Sequence, residues 1–152
     1  MRISKRLIRE QLEETLNKLK VLKHFNPPPF GWIKAVRSGL NMSGRQLANR
    51  IGVSKQSISR MEQDEVTGSI TIKTMRKVAE GLDCVFVYGF VPRTSLENTV
   101  RTKSEQVARD RMKRIDRTMS LEEQNIKEEN LEKLINEDVK KMVEKMPRTL
   151  WD

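Results

Sequence analysis

The chain has few of the residues that carry chemistry. Its 152 residues include one cysteine, Cys84, and one histidine, His24. A lone cysteine excludes an intrachain disulfide framework and fits a reducing cytosol, so a cytoplasmic protein is expected. With so little histidine and cysteine, and no carboxylates clustered at ligand spacing, no metal site is expected. No apolar run approaches the roughly 18 residues that a membrane span requires. The basic start, "MRISKRLIREQLEE", lacks a continuous apolar stretch and turns acidic at Glu10, so it does not read as a signal peptide. No nucleophile–base pair and no phosphate-cradling loop is visible. The expectation is no catalytic residue, no cofactor and no enzyme. His24, beside a run of prolines, reads as solvated, and Cys84 as a small buried hydrophobe.

What the chain has is positive charge. Its net charge is +9, which points to a polyanionic partner. Residues 1–29 hold seven Lys/Arg against three Asp/Glu, residues 30–91 nine against five, and residues 92–152 fourteen against thirteen. The excess belongs to the first two-thirds of the chain. In the last third a basic stretch, 101–117, precedes an acidic one, 122–138.

Four segments follow. Residues 1–26 carry an amphipathic helix over 3–23, with Ile8, Leu12, Leu16 and Leu19 on one stripe. The prolines of 27–29 form a stiff linker. Residues 30–91 hold short helices: Phe30–Ser38 up to Gly39; one opening at Ser43, with Gln46 in a capping box, and ending at Gly52; one from Ser54 to about Gln63; and Thr71–Leu82, with Ile72, Met75, Ala79 and Leu82 on one face. "CVFVYGFVP" then switches to a strand-like composition. No second strand is evident, so Val85, Phe86, Val87, Tyr88 and Phe90 are expected to pair with a second copy as a two-stranded ribbon across a homodimer axis. The alternative is an extended segment tucked against its own helices. Residues 92–152 form a C-terminal helical region that returns to helix over 102–146, with Ala108, Met112, Ile115 and Met119 on one stripe and Leu131, Leu134, Ile135, Met142, Val143 and Met146 on another. A capping box at Ser120 and Glu123 separates the two, and Leu150 and Trp151 lie exposed past Pro147.

"LANRIGVSKQSISRMEQ", residues 47–63, carries the most specific spacing: Ala48, Gly52, Ile58. Two helices crossing steeply through a tight turn need a small residue at the crossing, a residue tolerant of positive φ in the turn, and an apolar residue facing back. With Ile58 and Met61 inward, Lys55, Gln56, Ser59 and Arg60 face outward. Gln suits adenine, Arg and Lys suit guanine, and Ser is tolerant, so these four are the candidates for reading bases in the major groove. Ser43, Gly44, Arg45 and Ser54 are the candidates for phosphate, joined more speculatively by Lys34 and Arg37. A chance match on a solvated helix is the plain alternative; the caps and the basic charge weigh against it.

On these residues, Gly31–Leu82 resembles the phage-repressor, or lambda-repressor-like, type of helix-turn-helix domain called the Xre family. The strand after its fourth helix resembles that of antitoxin-type repressors. The proline-broken helix, "SGRQLANRIGVSKQSISRMEQ", "YGFVPR", "RTMSLEEQ" and the terminal "LWD" resemble the group called mobile mystery protein A. That resemblance implies a neighbouring Fic-domain protein, and an antitoxin or regulator of it. Fic inhibitors often carry Ser/Thr, three residues, Glu, then Gly or Asn. Thr118 and Glu122 fit, but Glu123 follows, which speaks against direct inhibition by this motif.

The expected protein is therefore mainly α: a dimeric helix-turn-helix repressor of an inverted-repeat DNA site, acting as an autoregulating antitoxin. The rivals are an antitoxin that clamps a Fic partner, with DNA binding secondary, and an RNA-associated coactivator.

Overall fold

The computed structural model describes residues 4–121 and 128–152. Its helices are α1 (Lys5–Asn17), α2 (Trp32–Gly39), α3 (Gly44–Ile51), α4 (Lys55–Thr67), α5 (Ile72–Gly81), α6 (Leu96–Leu121) and α7 (Glu128–Lys145), with 3-10 turns at Lys20–His24 and Arg148–Trp151. The chain forms two compact units. His24–Gly89 is the central unit, and Met1–Lys23 with Phe90–Asp152 is the unit built from the two chain ends. Among the described residues no helix is long and apolar enough to cross a membrane.

The central unit closes on Ile33, Leu47, Ala48, Ile58, Val78 and Leu82, all buried. Each fully buried aliphatic side chain of this kind contributes roughly 1.5–3 kcal/mol. α3 is the hub, packing on both α4 and α5. Its approach to α5 requires a glycine: a Cβ on Gly81 would stand 3.0 Å from Leu47 Cδ1 and overlap Ile51 Cγ2. Two carboxylates on α4 hold α2. Glu65 accepts the N–H groups of Trp32 (2.6 Å) and Ile33 (2.9 Å), closing a helix start that has no side-chain cap of its own. Glu62 pairs with Arg37.

In the end unit α6 packs lengthwise on α7 around Val100, Ala108, Ile135, Val139, Met142 and Leu150. α1 docks on them through polar groups. Arg9, only 6% exposed, bonds Glu97. Glu13 accepts the N–H groups of Leu96 (2.8 Å) and Glu97 (3.3 Å) at the start of α6. Lys5 donates to the Met146 carbonyl.

Several expectations are corrected. The first α-helix stops at Asn17, and its stripe is not its buried face: Ile8 and Leu12 remain about half exposed while Arg9 is buried. α2 starts at Trp32 rather than Phe30, α4 runs on to Thr67, and α6 starts at Leu96. In α5 Ile72 is exposed and the buried positions are Val78 and Gly81, followed by Leu82, because the contact with α3 forms at the C-terminal end. Leu150 is buried rather than exposed, since the 3-10 turn after Pro147 folds it back onto α6; Trp151 stays exposed. Cys84 is exposed. Ser120 lies inside α6, which runs on to Leu121, so no new helix starts there; Glu123, and with it the Glu122–Glu123 end of the Fic-inhibitor comparison, lies outside the described residues. Thr118 bonds the Arg114 carbonyl from the exposed surface.

No β-strand occurs among the described residues. Residues 84–90 run as irregular chain. Val85, Val87, Tyr88 and Phe90 are 62–87% exposed; the segment touches its own helices at Tyr88, whose ring lies 5.6 Å from the Arg76 guanidinium of α5, while Val85, Val87 and Phe90 stand out in solvent. Phe86 is half-buried and its ring stacks on Tyr88 at 6.0 Å.

Candidate nucleic-acid interface

The crossing of α3 and α4 has the geometry its spacing requires. Ala48 and Ile58 are buried. Gly52 is left-handed, with φ 68° and ψ 43°, and its N–H bonds the Ala48 carbonyl. No side chain crowds its Cβ position, so the turn needs glycine for its dihedral angles rather than for space.

Both helices are capped by serine. Ser43 Oγ accepts from the Gln46 N–H at 3.2 Å while Gln46 Oε1 accepts from the Ser43 N–H at 2.8 Å, a complete capping box. Ser54 Oγ accepts from the Ser57 N–H at 3.1 Å. The N–H groups of Gly44, Arg45, Lys55 and Gln56 precede the first intrahelical bonds and take no partner among the described residues. The two helix starts adjoin: a Cβ at Gly44 would lie 3.9 Å from Lys55 Cγ and 3.8 Å from Ile58 Cγ2. Two sets of free amides, each at the positive end of a helix, are thus side by side. That arrangement suits phosphate oxygens.

Lys55, Gln56, Ser59 and Arg60 are all exposed on α4; Gln56 and Arg60 lie on the side away from Ile58, and Lys55 stands beside Ile58 at the start of α3. Arg60 is 84% exposed, and its one ionic neighbour, Asp64, is 3.9 Å away. The guanidinium is therefore held loosely. Arg45 is exposed beside Gly44. Ser43 and Ser54 are present at the same edge, but their oxygens already serve the caps, and Ser54 Oγ also shares a hydrogen bond of 2.8 Å with Ser57 Oγ, in which either can donate.

Arg37 does not join this set. Its Nε is 2.8 Å from Glu62 Oε1, its Nη1 donates to the Met42 carbonyl at 2.8 Å, and the side chain is 17% exposed. It clamps α2 to α4. Lys34 stands over the Phe30 ring at 5.1 Å. The outward face of α4 also holds a residue that the sequence reading missed. Gln63 is exposed, seven positions after Gln56 and four after Ser59. Extending the helical period one more turn would have found it.

No curated protein and no solved structure matches the chain. A family model does match, that of the helix-turn-helix, over residues 33–86, about a third of the chain, taking in α2 to α5 except the first residue of α2. That span thus carries a helix-turn-helix domain, and the match supports a DNA-binding transcription regulator.

Proposed function

We propose that the chain is a homodimeric, sequence-specific repressor that reads an inverted-repeat site, and that it serves as the autoregulating antitoxin of a Fic-type partner. The observation that carries the DNA reading is the pair of adjoining, serine-capped helix starts with four exposed polar side chains on α4. In this reading the free amides of Gly44, Arg45, Lys55 and Gln56 grip phosphates, and Arg45 adds charge. Lys55, Gln56, Ser59 and Arg60 enter the major groove. The dimer reading rests on the exposed apolar segment at 84–90. Apart from the Cys84 N–H, which bonds the Ala79 carbonyl, its backbone N–H groups make no bond among the described residues. Such a segment is a template for pairing with a second copy. The Fic reading is supported by the resemblance of the flanking motifs. The test is a gel shift of the full chain on the DNA upstream of its own gene, with RNA of the same sequence as competitor. Retardation that RNA competes away as well as DNA does would overturn it.

A second reading, an antitoxin that clamps the Fic partner, is favoured by the half-exposed Ile8 and Leu12 and the exposed Trp151 of the end unit. Co-expression with the neighbouring gene's product tests it. A fragment of residues 30–91 that neutralises that partner as well as the full chain does would remove the outer helices from the contact.

A further inference from the structure

The end unit holds a pocket of about 520 Å3 with Arg6, Arg9, Glu97, Arg101, Lys140 and Glu144 among its lining residues. Arg9 lines it from a buried position. Its Nε donates to Glu97 Oε2 at 2.8 Å, and its Nη2 stands 2.6 Å from that same oxygen. One acceptor is thus shared between two donors, and the enclosed Nη2 has no other partner among the described residues. Its Nη1 donates to the thioether sulfur of Met146, a weak acceptor. The Glu97 carboxylate thus compensates a guanidinium charge that would otherwise be costly to bury.

Four of those six lining residues are cationic and two are acidic. Lys140 has no ion pair among the described residues. Arg6 and Arg101 pair with Glu10 and Glu105, but all four of those side chains are at least 47% exposed. Exposed pairs of this kind hold their cations weakly. Donors from α1, α6 and α7 therefore converge on one space.

We infer that this pocket is an anion site that takes the phosphate group of a small phosphorylated molecule, with Arg6, Arg101 and Lys140 supplying donors and charge and Arg9 adding charge from its buried position. A phosphate monoester carries about −1.5 to −2 at pH 7 and offers three acceptor oxygens, which suits donors arriving from three helices. The volume lies within the roughly 300–1,000 Å3 of small-molecule sites, so a mononucleotide fits where inorganic phosphate alone would leave space.

The test is calorimetric titration of the full chain with inorganic phosphate and with AMP at constant ionic strength. Arg9 also holds α1, so the variant is the exposed Lys140→Ala, with Arg45→Ala as the control at the DNA-facing edge. The expected result is saturable binding of both probes, AMP at least as tight as phosphate. Lys140→Ala should weaken both about tenfold, the scale of one charge-assisted hydrogen bond, and Arg45→Ala should leave both unchanged. Three results would overturn the inference: no saturable binding, binding that Arg45→Ala removes and Lys140→Ala does not, or exclusion of AMP.

Discussion

Arg37 of α2 and Glu62 of α4 form an ion pair of 2.8 Å, with side chains only 17% and 15% exposed. A basic residue near the crossing of α3 and α4 is thus a structural clamp. Removing one partner leaves the other as a half-buried, uncompensated charge. Arg37→Ala should destabilise the central unit by about 2–3 kcal/mol, somewhat less than the loss of a fully buried pair. Urea denaturation measures it. A double change, Arg37→Met with Glu62→Leu, should recover most of the loss, because the pair's desolvation cost disappears with it.

The close approach at Gly81 makes a second prediction. Gly81→Ala gains helix propensity, worth at most about 1 kcal/mol, but drives a methyl group into Ile51 and Leu47. Overpacking of this kind costs about 1–3 kcal/mol, so the net effect should be a lower melting temperature. A variant as stable as the parent would mean that α5 can shift away from α3 without loss.

For DNA reading, Gln56 and Arg60 lie four residues apart on α4, both exposed. Replacing either with alanine should cost about 1–3 kcal/mol and relax preference at one position in each half-site. Arg45→Ala should instead weaken all sequences alike and flatten the salt dependence, since a phosphate contact carries no base information. Titrations against single-base variants of the site at two salt concentrations separate these outcomes. Uniform loss in the Gln56 and Arg60 variants, with base preference intact, would remove α4 as the reading head.

Assembly is tested at Val87. Two reading helices related by a dimer axis would stand about 34 Å apart, one turn of B-DNA. Val87→Pro removes a backbone donor from the centre of the 84–90 segment and should yield monomers. Sedimentation of the parent chain and the variant at micromolar concentration reads this directly. A parent chain that sediments as a monomer refutes the ribbon.

The sequence by itself determined the local geometry. Ser43 with Gln46, Ser54 with Ser57, and the Ala48–Gly52–Ile58 spacing act within one or two turns of chain. Capping and a left-handed turn depend on neighbours three to six residues away, so a linear pattern encodes them. The outward placement of Gln56 and Arg60, opposite Ile58, follows from the helical period alone. Only the tertiary structure decided what touches across long separations. Arg37 and Glu62 are 25 residues apart, and Arg9 and Glu97 are 88 apart. No periodicity announces that a carboxylate from α4 or α1 will close the start of α2 or α6. Nor does it announce that α1 will bury Arg9 in place of its apolar stripe, or that Leu150 will fold back onto α6. A helix's amphipathic stripe tells which side prefers to leave water. The partners on the other side decide which side actually does, because a buried charge that finds its acceptor can outweigh a half-buried leucine.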